Sequence, residues 1–209
     1  MVKIKSLSDQ VYDYIINQIK TGKLAYGAKV NENKLIEELN ISRTPIREAL
    51  IQLASDNVLD NISRKGFFVK SYSDEEVDEI YSVVGILDSN AIKLAIPHLK
   101  SAHLKMMRFE VEKMAIAIKE KNYEMYTLSQ EEFHSIYLEQ CHNSYLIALV
   151  KDIWKKSLRT TYYSLDQEEL FKTLTSVNEE HLVIIDLIEK KDIEGAGDFV
   201  YKHWSEHLI

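Results

Sequence analysis

ISRTPIREAL, residues Ile41 to Leu50, combines a serine, two arginines one helical turn apart and a proline within a few positions of one another. Ser42 can accept from the free N–H groups of a first helical turn, and Pro45 stands early enough that its missing donor costs little, so a helix begins here. Arg43, Thr44 and Arg47 gather at its leading end, while Ile46, Leu50 and Leu53 recur at spacings of three and four and face inward. A helix that enters the major groove reads bases with its N-terminal residues, and arginine pairs bidentately with guanine. By itself the stretch is equally compatible with a capped surface helix whose arginines are solvated.

The residues on either side favour the first reading. Leu7, Val11, Ile15, Ile16 and Ile19 have helical spacing between Ser6 and Lys20, with Gly22 where that helix would stop. Leu24 to Lys29 reads as a turn-rich connector, after which Asn31 can cap a second helix carrying Leu35, Ile36 and Leu39. Asn40-Ile41 is then the tight turn between two short helices, the second with polar donors at its start, which is a helix-turn-helix arrangement. Downstream, Val58 to Ile62 alternates like a short strand, Ser63-Arg64-Lys65-Gly66 is a basic turn, and Phe67-Phe68-Val69 is a second strand. Such a wing places Arg64 and Lys65 where they can reach phosphates or the minor groove, although an ordinary surface hairpin has the same pattern.

Charge divides the chain. Through Lys70 there are eleven Lys and Arg against eight Asp and Glu, and beyond it fifteen against twenty-five, so the net charge of −7 splits into +3 in front and −10 behind. An acidic total excludes a protein that coats nucleic acid along its whole surface, but it permits a basic reading head on an acidic partner domain. At 209 residues the chain can form two domains, expected at residues 1–70 and 71–209. The single Cys141 cannot form an internal disulfide, which suits a reducing compartment. The first residues lack the apolar core of a leader, and no apolar run approaches the roughly 20 residues of a membrane span, so a cytoplasmic protein is expected. Two prolines and six glycines among abundant Leu, Ile, Glu and Lys favour a mainly α chain.

The order helix, ISRTPIREAL, VLDNISRKGFFV resembles the winged helix-turn-helix head of GntR-family transcription regulators, whose usual form is close to VSRTPVREAL followed by a glycine-tipped wing. The resemblance covers roughly residues 6 to 70. It implies three helices plus a two-stranded wing, base or phosphate contacts from Arg43, Thr44 and Arg47, and a wing tip at Lys65 and Gly66. Two positions depart from the pattern: Tyr26 replaces the proline usual before Gly27, and Asn33 stands where some relatives have a DNA-contacting arginine.

Beyond the polar hinge Lys70 to Ser73, the S-x-x-E of Ser73 to Glu76 has the form of a capping box. Ile80, Val83, Val84, Leu87, Ala91, Leu94 and Ala95 continue one apolar stripe until Pro97. Further helices are expected at about Ser101 to Lys121, Tyr123 to Cys141, Ser144 to Tyr163, Ser176 to Lys190 and Asp192 to His207, giving an all-α antiparallel bundle of about six helices. The phrases EEFHSIYLEQCHN and EEHLVIIDLIEKKD resemble the FCD effector-binding domain of the FadR-type branch of the same family, over about residues 74 to 207. That resemblance implies a divalent metal, zinc or nickel, held by His134, His181 and His203 beside a bound carboxylate. In many relatives an aspartate stands four residues before the first histidine; here that residue is Gln130. An arginine that pairs with the ligand carboxylate in many relatives is replaced by Val84, while Arg159 matches another basic position that can line the pocket.

The residues themselves give the trio modest support. His181 and His203 stand at mirrored distances from the turn near Asp192, and His134 shares a helix face with Gln130. Three neutral imidazoles plus water suit zinc or a similar ion. Tyr126, Tyr137, Tyr162 and Tyr163 can supply hydroxyls to a pocket, or fill the core with satisfied tips. The leading reading is a ligand-responsive transcription regulator, a repressor by the commoner family habit. It would bind a pseudo-palindromic double-stranded DNA operator as a homodimer, with a small organic acid or related metabolite as effector. A metal-dependent hydrolase built on the three histidines is the alternative. Against it, no general base is identifiable beside the trio, and H-E-x-x-H, G-x-S-x-G and P-loop patterns are absent.

Overall fold

The apolar residues that recur every third or fourth position in the front third form one buried core in the computed structural model, which describes residues 5–20, 22–157 and 167–205. The chain divides into two units, Met1–Tyr72 and Ser73–Ile209.

The first unit holds α1 (Leu7–Lys20), α2 (Glu32–Leu39), α3 (Arg43–Ser55), β1 (Leu59–Ile62) and β2 (Gly66–Val69). Val11, Ile15 and Ile19 of α1 share a core with Ile46, Leu50 and Leu53 of α3, all fully or almost fully buried. Asn31 caps α2 by accepting from the Lys34 N–H at 3.1 Å, and Asn40, at φ 52°, closes it in the left-handed conformation that asparagine tolerates. Ser42 has the extended backbone of a cap, but its hydroxyl makes no capping bond, which corrects the sequence expectation. The strands pair antiparallel, Leu59 with Val69 and Ile62 with Gly66. The connector before α2 is also more than a turn. Val30 N–H donates to Phe67 O at 2.8 Å and Val69 N–H to Ala28 O at 2.9 Å, so this stretch covers the second edge of β2. Backbone groups on that edge need partners once Phe67 and Val69 are buried, a demand that side-chain periodicity does not reveal.

The second unit consists of α4 (Asp74–Ala95), α5 (Ser101–Lys119), α6 (Tyr123–Leu138), α7 (Ser144–Ser157), α8 (Gln167–Glu189) and α9 (Ile193–Ser205). Ser73 accepts from the Glu76 N–H, and the Glu76 carboxylate accepts from the Ser73 N–H, so the expected capping box is present. Glu75–His98 is long and apolar enough by length and composition to span a membrane, yet one face of it, with Tyr81, Val84, Asp88 and Ala91, is buried within the bundle. Two helix pairs turn in the same way. Lys121 and Lys191 take left-handed φ values of 51° and 56°, and the next residue, Asn122 or Asp192, caps the following helix. Helix α8 starts at Gln167 rather than near Ser176, because Phe171, Leu174 and Val177 extend its buried stripe through a threonine-rich segment of weak helical signal.

Candidate functional site

Two sets of side chains stand out, one in each unit. On α3, Arg43, Thr44 and Arg47 are exposed on the first two turns, at the positive end of the helix dipole, while Ile46, Ala49 and Leu50 anchor the opposite face. Arg43 donates to the Asn33 side-chain oxygen at 2.9 Å, a neutral partner that orients the guanidinium without cancelling its charge. Arg47, Arg64 and Lys65 have no carboxylate partner among the described residues. At the wing, Lys65 N–H closes a tight turn onto Ile62 O, with Arg64 at φ 63°, and Gly66, the first residue of β2, takes a φ of 100° that favours glycine. The Lys29 side chain runs 3.6 Å from where a Gly66 Cβ would stand, adding a basic group to the wing that the sequence pattern did not single out.

The second set is buried. His134 on α6, His181 on α8 and His203 on α9 are each at most 4% exposed, and one ligand atom from each lies within 4.8 Å of the others. The Nε2 atoms of His134 and His181 approach to 3.4 Å. Two nitrogens on one tetrahedral zinc stand about 3.3 Å apart, given Zn–N bonds of roughly 2.0–2.1 Å, so the pair already has the required spacing. The far nitrogens are held as well. His134 Nδ1 is 2.7 Å from the Tyr137 hydroxyl and 3.2 Å from Asp88 Oδ2, and His203 Nδ1 is 2.7 Å from Glu180 Oε2. Because the two nitrogens of an imidazole point apart, Nε2 is the atom that His134 and His203 can offer a cation. This donor set fits a small divalent transition metal.

Asp88, on α4, is fully buried at the back of this arrangement. Its Oδ2 accepts from the Tyr137 hydroxyl at 2.5 Å and from the Trp204 indole N–H at 2.7 Å, whereas Oδ1 has no partner among the described residues. Burial first, then the Asp88 charge and the bond to it, pushes the Tyr137 hydroxyl well above the usual tyrosine range, so its proton stays in place. Aromatic rings wall the centre. Phe133 meets His181 edge-on at 4.4 Å between centroids, and Trp204 and Trp154 lie 4.8 and 5.8 Å from His134. Gln130 is buried one turn before His134 on the same helix, and Val84 is buried one turn before Asp88 on α4. Tyr126 and Tyr137 are buried, whereas Arg159, Tyr162 and Tyr163 lie outside the described residues.

Sequence reading brought the three histidines together but missed Asp88, Glu180 and Trp204. The only available signal for Asp88 was a lone acid within an apolar helical stripe, between Val84 and Ala91.

Comparison with known proteins agrees with both units. Residues 7–69 match the family described as bacterial regulatory proteins, gntR family, and residues 79–206 match the FCD domain. The chain is 29% identical over 206 residues to the HTH-type transcriptional regulator YdhC of Bacillus subtilis, covering 95% of this chain and 89% of that one. It is 25% identical over 183 residues to the gluconate operon transcriptional repressor of Bacillus licheniformis, covering 84% and 72%. The solved structure of Escherichia coli McbR superposes with a TM-score of 0.76 at 24% identity, over 97% of this chain and 95% of that one.

Proposed function

The chain belongs to the gntR family of bacterial regulatory proteins, with an FCD domain behind its reading head, and on that premise we propose that it represses transcription by binding a pseudo-palindromic operator as a homodimer. It is a transcription regulator and not an enzyme, so the hydrolase alternative falls away. The observation that carries the DNA reading is the exposed cluster of Arg43, Thr44 and Arg47 at the start of a helix whose other face is locked into a core. In this reading α3 enters the major groove, with Arg47 and Arg43 as the base-reading groups. Arg64, Lys65 and Gly66 bring the wing against the backbone or the minor groove. Repression accords with the activity of relatives such as the gluconate operon transcriptional repressor of B. licheniformis. The test is fluorescence anisotropy on a duplex selected from a random pool. Arg47→Ala is expected to lose about 1–3 kcal/mol and to relax specificity at one base, and an unchanged affinity overturns the assignment of α3.

In the second unit, we propose that His134, His181 and His203 hold a divalent metal, zinc or nickel, which would supply a positively charged anchor for an anionic effector. A small organic acid fits such a site, with Gln130 offering its amide and Arg159 assigned to the same pocket from its sequence position. Zinc added at about 100 times its Kd contributes roughly 2.7 kcal/mol, or on the order of 5–10 °C in the melting temperature of a domain this size. Protein that co-purifies with no metal and does not shift on adding zinc or nickel contradicts this reading.

A further inference from the structure

The three imidazoles and Gln130 bring no negative charge to a cation, and yet two carboxylates stand immediately behind the histidines. Asp88 Oδ2 collects the Tyr137 hydroxyl, the Trp204 N–H and, at 3.2 Å, His134 Nδ1; Glu180 Oε2 meets His203 Nδ1. The hydrogen-bond directions follow in order. The phenol of Tyr137 carries one proton and gives it to Asp88 at 2.5 Å. Its oxygen is then left as an acceptor toward His134 Nδ1 at 2.7 Å, so that nitrogen must bear the ring proton. His134 is thereby left with a bare Nε2, on the side facing His181 Nε2. A buried carboxylate fixing an imidazole through its outer nitrogen both sets the tautomer and raises the basicity of the inner one.

We propose that Asp88 is a positioning residue of the histidine centre, which holds His134 in the Nδ1–H form through Tyr137 and, together with Glu180 behind His203, supplies from outside the ligand set the negative charge that the ligands lack. The proposal rests on the reading of His134, His181 and His203 as a metal site. It gives α4 a chemical role in the bundle, since Asp88 bonds Tyr137 of α6 and Trp204 of α9. It also explains a fully buried carboxylate in a wall of aromatic rings, where an uncompensated charge is strongly disfavoured.

The experiment uses the full chain, zinc alone as probe, and two readouts: zinc affinity by competition with a chelator, and the 15N shifts of the histidine rings in metal-free protein. The metal-free wild type is expected to show His134 in the Nδ1–H form. Asp88→Asn, whose amide oxygen can still take the donors at Oδ2, is expected to keep that tautomer while weakening zinc by about 10–100-fold. Glu180→Gln, at a partly exposed site less critical for folding, is expected to weaken zinc by about 10-fold. Adding Gln130→Asp to Asp88→Asn is expected to restore affinity, because it returns a carboxylate one turn from His134. Wild-type zinc affinity in Asp88→Asn overturns the charge role, as does a double variant that regains nothing. His134 in the Nε2–H form overturns the positioning role. A wild type that binds no zinc but shows the Nδ1–H form sinks the metal reading and leaves the positioning of His134 upheld.

Discussion

Ser42 and Ser73 precede their helices with nearly the same extended backbone, but only Ser73 bonds into the first turn. The Ser73 hydroxyl accepts from the Glu76 N–H, whereas the Ser42 hydroxyl stays exposed at the leading end of α3. Ser73→Ala is therefore expected to cost about 1 kcal/mol by thermal or urea denaturation, and Ser42→Ala at most a few tenths. Equal losses would mean that Ser42 does cap α3. At this scale the sequence made the cap types visible but not their use, since S-x-x-E closes a box while S-x-x-P offers no N–H or carboxylate at the third position. The same limit applies at the histidine centre. Tyr137 and Asp88 are 49 residues apart, and Trp204 and Asp88 are 116 apart, separations at which no local spacing rule operates.

At the scale of elements, long amphipathic helices were legible because one apolar stripe specifies both the element and its buried face. At the start of α8, Thr173, Thr175 and Ser176 dilute the apolar pattern, although Phe171 and Leu174 continue it. The stretch before α2 lost its strand character for the opposite reason: it is recruited by backbone hydrogen bonds alone. The contact of α4 with α9 depends on Gly85. A Cβ there would lie 3.2 Å from the Tyr201 carbonyl oxygen and 3.1 Å from its ring, tighter than ordinary contact. Gly85→Val is expected to destabilise the bundle by about 1–3 kcal/mol by forcing the two helices apart, measured as a lower denaturation midpoint. Unchanged stability would show that the helices separate without cost.

For the whole molecule, the fold divides the chain at Tyr72, and the net charge of −7 splits into +3 through Lys70 and −10 beyond it. The arginine cluster of α3 was legible because it falls within ten consecutive residues; the histidine centre was only half legible, because its side chains come from α4, α6, α8 and α9. If the histidine centre governs the head, a bound metal or acid shifts operator affinity only by the difference in its own affinity for the two arrangements of the protein. We propose α3 as the reading element. Its most direct test is anisotropy titration of a selected operator and a scrambled duplex with wild type, Arg47→Ala and Lys65→Ala at several salt concentrations. Arg47→Ala is predicted to lose the preference for the selected duplex, and Lys65→Ala to weaken both duplexes alike and lower the salt slope by about 1. Full discrimination between the two duplexes by Arg47→Ala would contradict the account.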